Sequence, residues 1–131
     1  MLTLHTERIG DVVVIQCQGR IVQDYAAFKL RDAVRQQRNA RVVLLDLSEV
    51  QALEGGGLGM LLFLQQWTRD RGIRFQVFDP PRRVRQVLER ARSTAAVEIA
   101  DMGAVLSLIG WNEGGADGDR ASLPDVFHRA A

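Results

Sequence analysis

The sequence is poor in the residues from which catalytic and metal sites are most often built. It has one cysteine, Cys17, so an internal disulfide is impossible and nothing points to an oxidising compartment. Its two histidines, His5 and His128, stand near opposite ends of the chain, and no His-x-x-x-His, Cys-x-x-Cys or Gly-x-Ser-x-Gly spacing occurs. These absences leave no case for a metal, a nucleophile or a cofactor, and the expectation is a protein that is not an enzyme. Aromatic residues make up 6% of the chain and none is interleaved with the arginines of positions 82–92, so the stacking platform that single-stranded nucleic acid uses is missing. The longest near-apolar run, Leu58 to Leu64, falls far short of the ~20 residues of a membrane span. The opening residues, Met1 to Arg8, lack a basic stretch followed by an apolar core, as a secretion signal requires. Formal net charge is +1 at pH 7, which argues against nucleic acid or an anionic membrane as the main partner. A cytoplasmic protein with no direct membrane insertion is expected.

What is present suits one domain with one core: 131 residues, 47% of them hydrophobic. Leu2 to Thr6 alternates apolar and polar, and beyond the Gly10-Asp11 turn Val12 to Gln18 is β-branched and apolar, which predicts a hairpin. Ala27, Leu30, Ala33, Val34 and Gln37 recur at helical spacing over Tyr25 to Gln37, with Asp24 placed to cap. Arg41 to Leu47 is a near-continuous apolar run, the pattern of a central strand covered on both faces. A second helix is expected from Gly57 to about Arg69, apolar over more than one stripe, so that part of its surface meets something besides its own sheet. Arg74 to Phe78 reads as a strand. Pro80-Pro81 then opens a helix in which Val84, Val87, Leu88 and Ala91 follow one face. A short apolar stretch at Ala96 to Ile99 and a last helix over Met102 to Ile109 complete an alternating order. Alternation of this kind predicts an α/β sandwich, helices against a mixed, mostly parallel sheet of four to five strands with about four helices, because parallel strands need helical crossovers.

The most informative segment joins the central strand to the second helix: Asp46-Leu47-Ser48, then Glu54-Gly55-Gly56-Gly57-Leu58-Gly59. Clustered glycines supply positive φ or close backbone packing without steric cost, which a tight strand-to-helix turn demands. No lysine follows them and no Gly-x-x-x-x-Gly-Lys spacing occurs, so a phosphate-cradling loop is not indicated. Asp46 and Glu54 form a conceivable carboxylate pair, but an aspartate at a strand end more often orders the loop by accepting backbone hydrogen bonds. Cys17, inside an apolar strand, reads as a small core residue.

This segment resembles the signature of the STAS domain, the fold of bacterial anti-sigma factor antagonists, in which an Asp-Leu-Ser strand end leads to an Asp-Ser-Ser/Thr-Gly-Leu-Gly helix start. The resemblance runs over about residues 2 to 110 and includes Gly19-Arg20-Ile21-Val22, which stands where the family has a glycine-hydrophobic turn. Aligned without gaps, Glu54 takes the aspartate position, Gly55 and Gly56 take the two hydroxyl positions, and Gly57, Leu58 and Gly59 match. In the family this loop and helix dock a histidine-kinase-like serine kinase that is also the anti-sigma factor, and phosphorylation of the loop serine ejects the antagonist. A phosphate there acts as a local electrostatic switch at a helix N-terminus. Gly55 and Gly56 cannot accept one. Three consequences stay open: a constitutive binder without an off switch, a weak mimic in which Glu54 holds a permanent carboxylate near the helix dipole, or a fold that has left the kinase circuit and serves other machinery.

The resemblance therefore implies a non-enzymatic protein-interaction domain over residues 1–111, with a partner loop at Glu54 to Gly57 and a partner helix at Leu58, Met60 and Leu61. The implied partner is such a kinase. Two alternatives are an accessory STAS subunit of a bacterial lipid-transport ATPase and a self-associating scaffold module of a signalling assembly; a homodimer is compatible with the sequence. Eight arginines fall between Arg69 and Arg92. Arg82, Arg83, Arg85, Arg90 and Arg92 lie off the apolar stripe of the third helix and read either as a solvated face, partly satisfied locally by spacings such as Arg85 to Glu89, or as a site for an acidic protein partner. Residues 112–131, with Glu113, Asp117, Asp119 and Asp125 against Arg120 and Arg129, read as a flexible, mildly acidic tail in which Leu123 to Phe127 is a brief apolar return.

Overall fold

The computed structural model describes residues 1–22, 25–91 and 97–110. The expected cap at Asp24, the start of the short apolar stretch at Ala96, Trp111 at the expected domain end, and the tail over 112–131 lie outside the described residues. Five strands and four helices follow one another as β1 (Leu2–Ile9), β2 (Val12–Ile21), α1 (Tyr25–Arg35), β3 (Val42–Leu53), α2 (Gly56–Asp70), β4 (Arg74–Phe78), α3 (Arg82–Arg90), β5 (Glu98–Ala100) and α4 (Met102–Leu108). The sheet order is β1-β2-β3-β4-β5. β1 and β2 form the antiparallel hairpin, and every later neighbour is parallel, as helical crossovers require. The α/β architecture expected from the alternation is the observed one.

Period-two alternation divides the side chains of the central strands between two apolar layers. Val13, Ile15 and Cys17 of β2 and Val43, Leu45 and Leu47 of β3 join Leu30 and Val34 of α1, Leu61, Leu64 and Trp67 of α2, and Val84 and Leu88 of α3. The opposite residues, Val12, Val14, Val42 and Leu44, meet Phe78, Ala100 and Val105, so α4 alone among the described helices lines that second layer. Burial on both faces explains why β3 begins as an unbroken apolar run.

β3 is longer than the sequence suggests, because it continues through Ser48 to Leu53 rather than loosening after Leu47. Its pairing with β4 stops at Asp46 opposite Phe78, while pairing with β2 continues to Leu53 opposite Ile21 across two register shifts. The last seven residues of β3 therefore have a strand on one side only. Val50 and Leu53 of this overhang share the larger core with Val84 and Leu88 of α3, whose main packing partner among the strands is β3. Polar residues such as Ser48, Glu49 and Gln51 hid this extension, since an overhang with one side open tolerates a pattern that a central strand would not.

Candidate functional site

The turn from β3 to α2 is fixed by its backbone. Glu54 N–H donates to the Ile21 carbonyl at 3.2 Å, Gly57 N–H to the Glu54 carbonyl at 2.9 Å, and Gly59 N–H to the Gly55 carbonyl at 3.1 Å. Gly55 caps α2 at φ 49° and ψ −117°, a conformation that residues with a Cβ rarely adopt, and no side chain caps the helix. Gly57 is buried, and a Cβ there would overlap the carbonyl oxygen of Ile21. Two of the three glycines are thus required for different reasons, one by dihedral angle and one by close approach. Gly56, between them, opens α2 without a positive φ. The loop from Glu54 to Gly56 is exposed.

Along α2 the structure separates the expected partner residues. Leu61, expected on the partner helix, is instead fully buried in the core with Leu64, where it holds the helix to the sheet. Leu58 and Met60 are half-buried and pack against that core. The apolar side chain left outside is Phe63, 49% exposed. Its signal in the sequence was the apolar set of α2 exceeding a single stripe: once Leu61, Leu64 and Trp67 are turned inward, position 63 lies at the edge of the buried stripe, one turn before Trp67. The neighbouring helix α1, which packs on α2, exposes Tyr25 at 81% and Phe28 at 51%. The Arg31 guanidinium sits 5.0 Å from the Phe28 ring centroid. Between α1 and β1 a groove of about 380 Å³ is lined by Leu4, Thr6, Tyr25, Phe28, Lys29 and Ala33, among others. Tyr25 and Phe28 were missed because, read along the sequence, they resemble ordinary members of an amphipathic helix.

The carboxylates do not assemble into a pair with Glu54. Asp46 is buried and its Oδ1 accepts the Ser48 N–H at 2.9 Å, the loop-ordering role expected of it. Glu54 is exposed and stands eight residues further along a continuous strand, roughly 25 Å at an extended rise per residue. Asp46 instead influences Asp79, which follows β4 at φ 54°. Partial loss of solvent raises the Asp79 carboxyl above its ordinary value, the Asp46 charge raises it further, and Arg85 opposes both. Cys17 is buried, and its thiol is pushed far above the usual range by burial and then by Asp46, so it is an inert core group.

Helix α3 carries Arg82, Arg83, Arg85 and Arg90, all exposed. The expected ion pair between Arg85 and Glu89 does not form: the salt bridges among the described residues join Arg31 to Asp32, Arg41 to Asp11 and Arg74 to Glu98. Spacing permits a pair in an exposed helix, but side-chain entropy and water compete with it on nearly equal terms. The fifth arginine of this group, Arg92, lies outside the described residues.

The comparisons with known proteins follow the fold. A family model described as Mlab, STAS domain, matches residues 4–98. The anti-sigma factor antagonist SpoIIAA in its unphosphorylated form superposes with a TM-score of 0.68 at 16% identity, over 84% of this chain and 99% of that one. An anti-sigma factor antagonist from Mycobacterium paratuberculosis gives 0.69 at 18% identity, over 84% and 95%. A variant of RsbS from Moorella thermoacetica gives 0.65 at 11% identity, over 82% and 94%. At these identities the structural likeness is one of fold. No curated protein matches the sequence.

Proposed function

Since the chain belongs to the STAS domain family, we propose that it is a non-enzymatic docking module for another protein, of the anti-sigma factor antagonist type but working without loop phosphorylation. The observation that carries this reading is the head of α2. Gly55 and Gly56 occupy the hydroxyl positions of the signature, so no phosphoacceptor stands in the loop, while the exposed Phe63 leaves apolar surface outside the core. The docking surface in this reading is Glu54 to Gly57 with the outward parts of Leu58 and Met60 and the ring of Phe63. An exposed loop at the head of a helix that exposes an aromatic two turns on suits a protein partner, since interface anchors are commonly aromatic.

The geometry also supports a second reading, an accessory subunit of a membrane transport ATPase, in which docking is structural. What favours it is the backbone at Gly55: a serine there would be strained, so the loop is built for shape and not for modification. The test uses the intact protein as bait in native lysate, beside Phe63→Glu. Leu58→Asp is a poorer control, since Leu58 packs against the core and its loss would weaken the fold. A histidine-kinase-like serine kinase recovered by the wild type and lost with Phe63→Glu supports the antagonist reading. A transport ATPase or permease recovered in the same way supports the accessory reading. Equal recovery of any partner by both baits would remove α2 from the interface. With a kinase in hand, Gly56→Ser restores a hydroxyl where φ allows it; phosphorylation of that variant alone is the expected result if the kinase circuit is the relevant one.

A further inference from the structure

We propose that the arginine face of α3 seats an acidic segment, rich in Asp and Glu, of the docked protein. This rests on the reading of the chain as a docking module and names the chemistry of its partner. Four guanidinium groups, those of Arg82, Arg83, Arg85 and Arg90, are exposed on one nine-residue helix, and no carboxylate among the described residues lies within ion-pair distance of them. Elsewhere on the described surface Arg31, Arg41 and Arg74 have carboxylate partners while others, such as Arg20 and Arg38, have none; what sets α3 apart is that four such arginines stand within nine residues.

The arrangement does not serve the helix itself. Arg82 and Arg83 occupy the first turn, where the macrodipole disfavours cations, and that turn contains no acidic residue. The helix is nevertheless held firmly, because Val84 and Leu88 are buried in the main core. Their burial turns Arg82, Arg83, Gln86 and Arg90 outward, with the single carboxylate of Glu89 on the same side, a stripe about 12 Å long at the helical rise. Guanidinium forks on a fixed element match carboxylates bidentately. An extended segment advances about 3.3 Å per residue, so four or five residues of it span the stripe.

The position favours a protein over other anions. The parallel strands place the starts of α2 and α3 at the same end of the sheet, and α3 packs on β3, the strand that ends in the glycine loop. A protein docked on that loop has α3 beside it. The net charge of +1 supplies no general attraction for a polyanion, and no aromatic lies on α3 for bases to stack on.

The experiment is fluorescence anisotropy with a labelled decapeptide of alternating Asp and Glu. The full chain should bind it at 50 mM salt and lose at least tenfold in affinity at 300 mM. The triple variant Arg82→Gln, Arg83→Gln, Arg90→Gln should bind at least tenfold more weakly at low salt, and Arg90→Gln alone about threefold more weakly, with thermal melts no lower than the wild type's. Phe63→Glu should bind the peptide as the wild type does, which separates this inference from the docking reading: loss of partner capture by that variant leaves the peptide result untouched. Unchanged peptide binding by the triple variant would overturn the proposal. So would tighter binding of phosphatidylglycerol vesicles or of a single-stranded RNA decamer than of the peptide under the same conditions.

Discussion

A methyl group at position 57 has nowhere to go, because it would meet the Ile21 carbonyl oxygen that also accepts the Glu54 N–H. Gly57→Ala should therefore cost about 1–3 kcal/mol, read as a lowered denaturant midpoint. Two residues on, Gly59 sits inside α2 with open space around it, and Gly59→Ala should stabilise by up to about 1 kcal/mol. The two glycines look alike in the sequence and are expected to respond with opposite sign. Asp79 is a second residue whose behaviour follows from its surroundings. Its carboxyl is raised in the folded state, so the fold is favoured with Asp79 protonated and loses stability as pH rises through the window between its ordinary and its raised value. Asp79→Asn keeps a residue tolerant of positive φ and removes the charge. It should raise the melting temperature at pH 7, and the gain should vanish below about pH 3, where the wild-type carboxyl is protonated in both states. A gain that persisted at low pH would assign the effect to backbone strain instead.

At the scale of elements, α4 has the simplest dependence. It brings Val105 to the second apolar layer, over Val12, Val14, Val42 and Leu44, while the other three helices serve the opposite face. Its start is secured by Asp101, whose carboxylate accepts the Ala104 N–H at 2.7 Å. Val105→Asp would bury an unpaired carboxylate there and should cost several kcal/mol, enough to expose the sheet face to a hydrophobic dye. Leu88→Ala tests α3 in the same way, at about 2–5 kcal/mol. How much of this was legible depended on the element. The hairpin, α2, β4 and the amphipathic α3 follow periodicity that dominates locally. The overhang of β3 did not show, because Ser48 to Leu53 is held by β2 pairing and by α3 rather than by an apolar run of its own. The buried side of α2 was equally hidden. A helix apolar on more than one stripe does not state which stripe the sheet will take, and the packing chose Leu61, Leu64 and Trp67, leaving Phe63 in solvent.

For the whole molecule, one sheet is shared by two apolar layers, so neither layer can be lost alone. Unfolding in denaturant should be a single transition, with far-UV circular dichroism and a hydrophobic dye reporting the same midpoint. Separate midpoints would mean that α4 and its layer melt independently. No described helix is long and apolar enough to cross a membrane. The sequence by itself determined the alternation of strands and helices, the parallel sheet that this alternation compels, and the absence of a hydroxyl at positions 55 and 56, because periodicity and residue identity act locally. Only the tertiary structure decided that Leu61 belongs to the core and Phe63 to the surface, that Arg85 and Glu89 stand apart, and that Gly57 is fixed by a carbonyl thirty-six residues earlier in the chain. Those outcomes depend on which atoms distant segments bring into contact, and no local pattern records that.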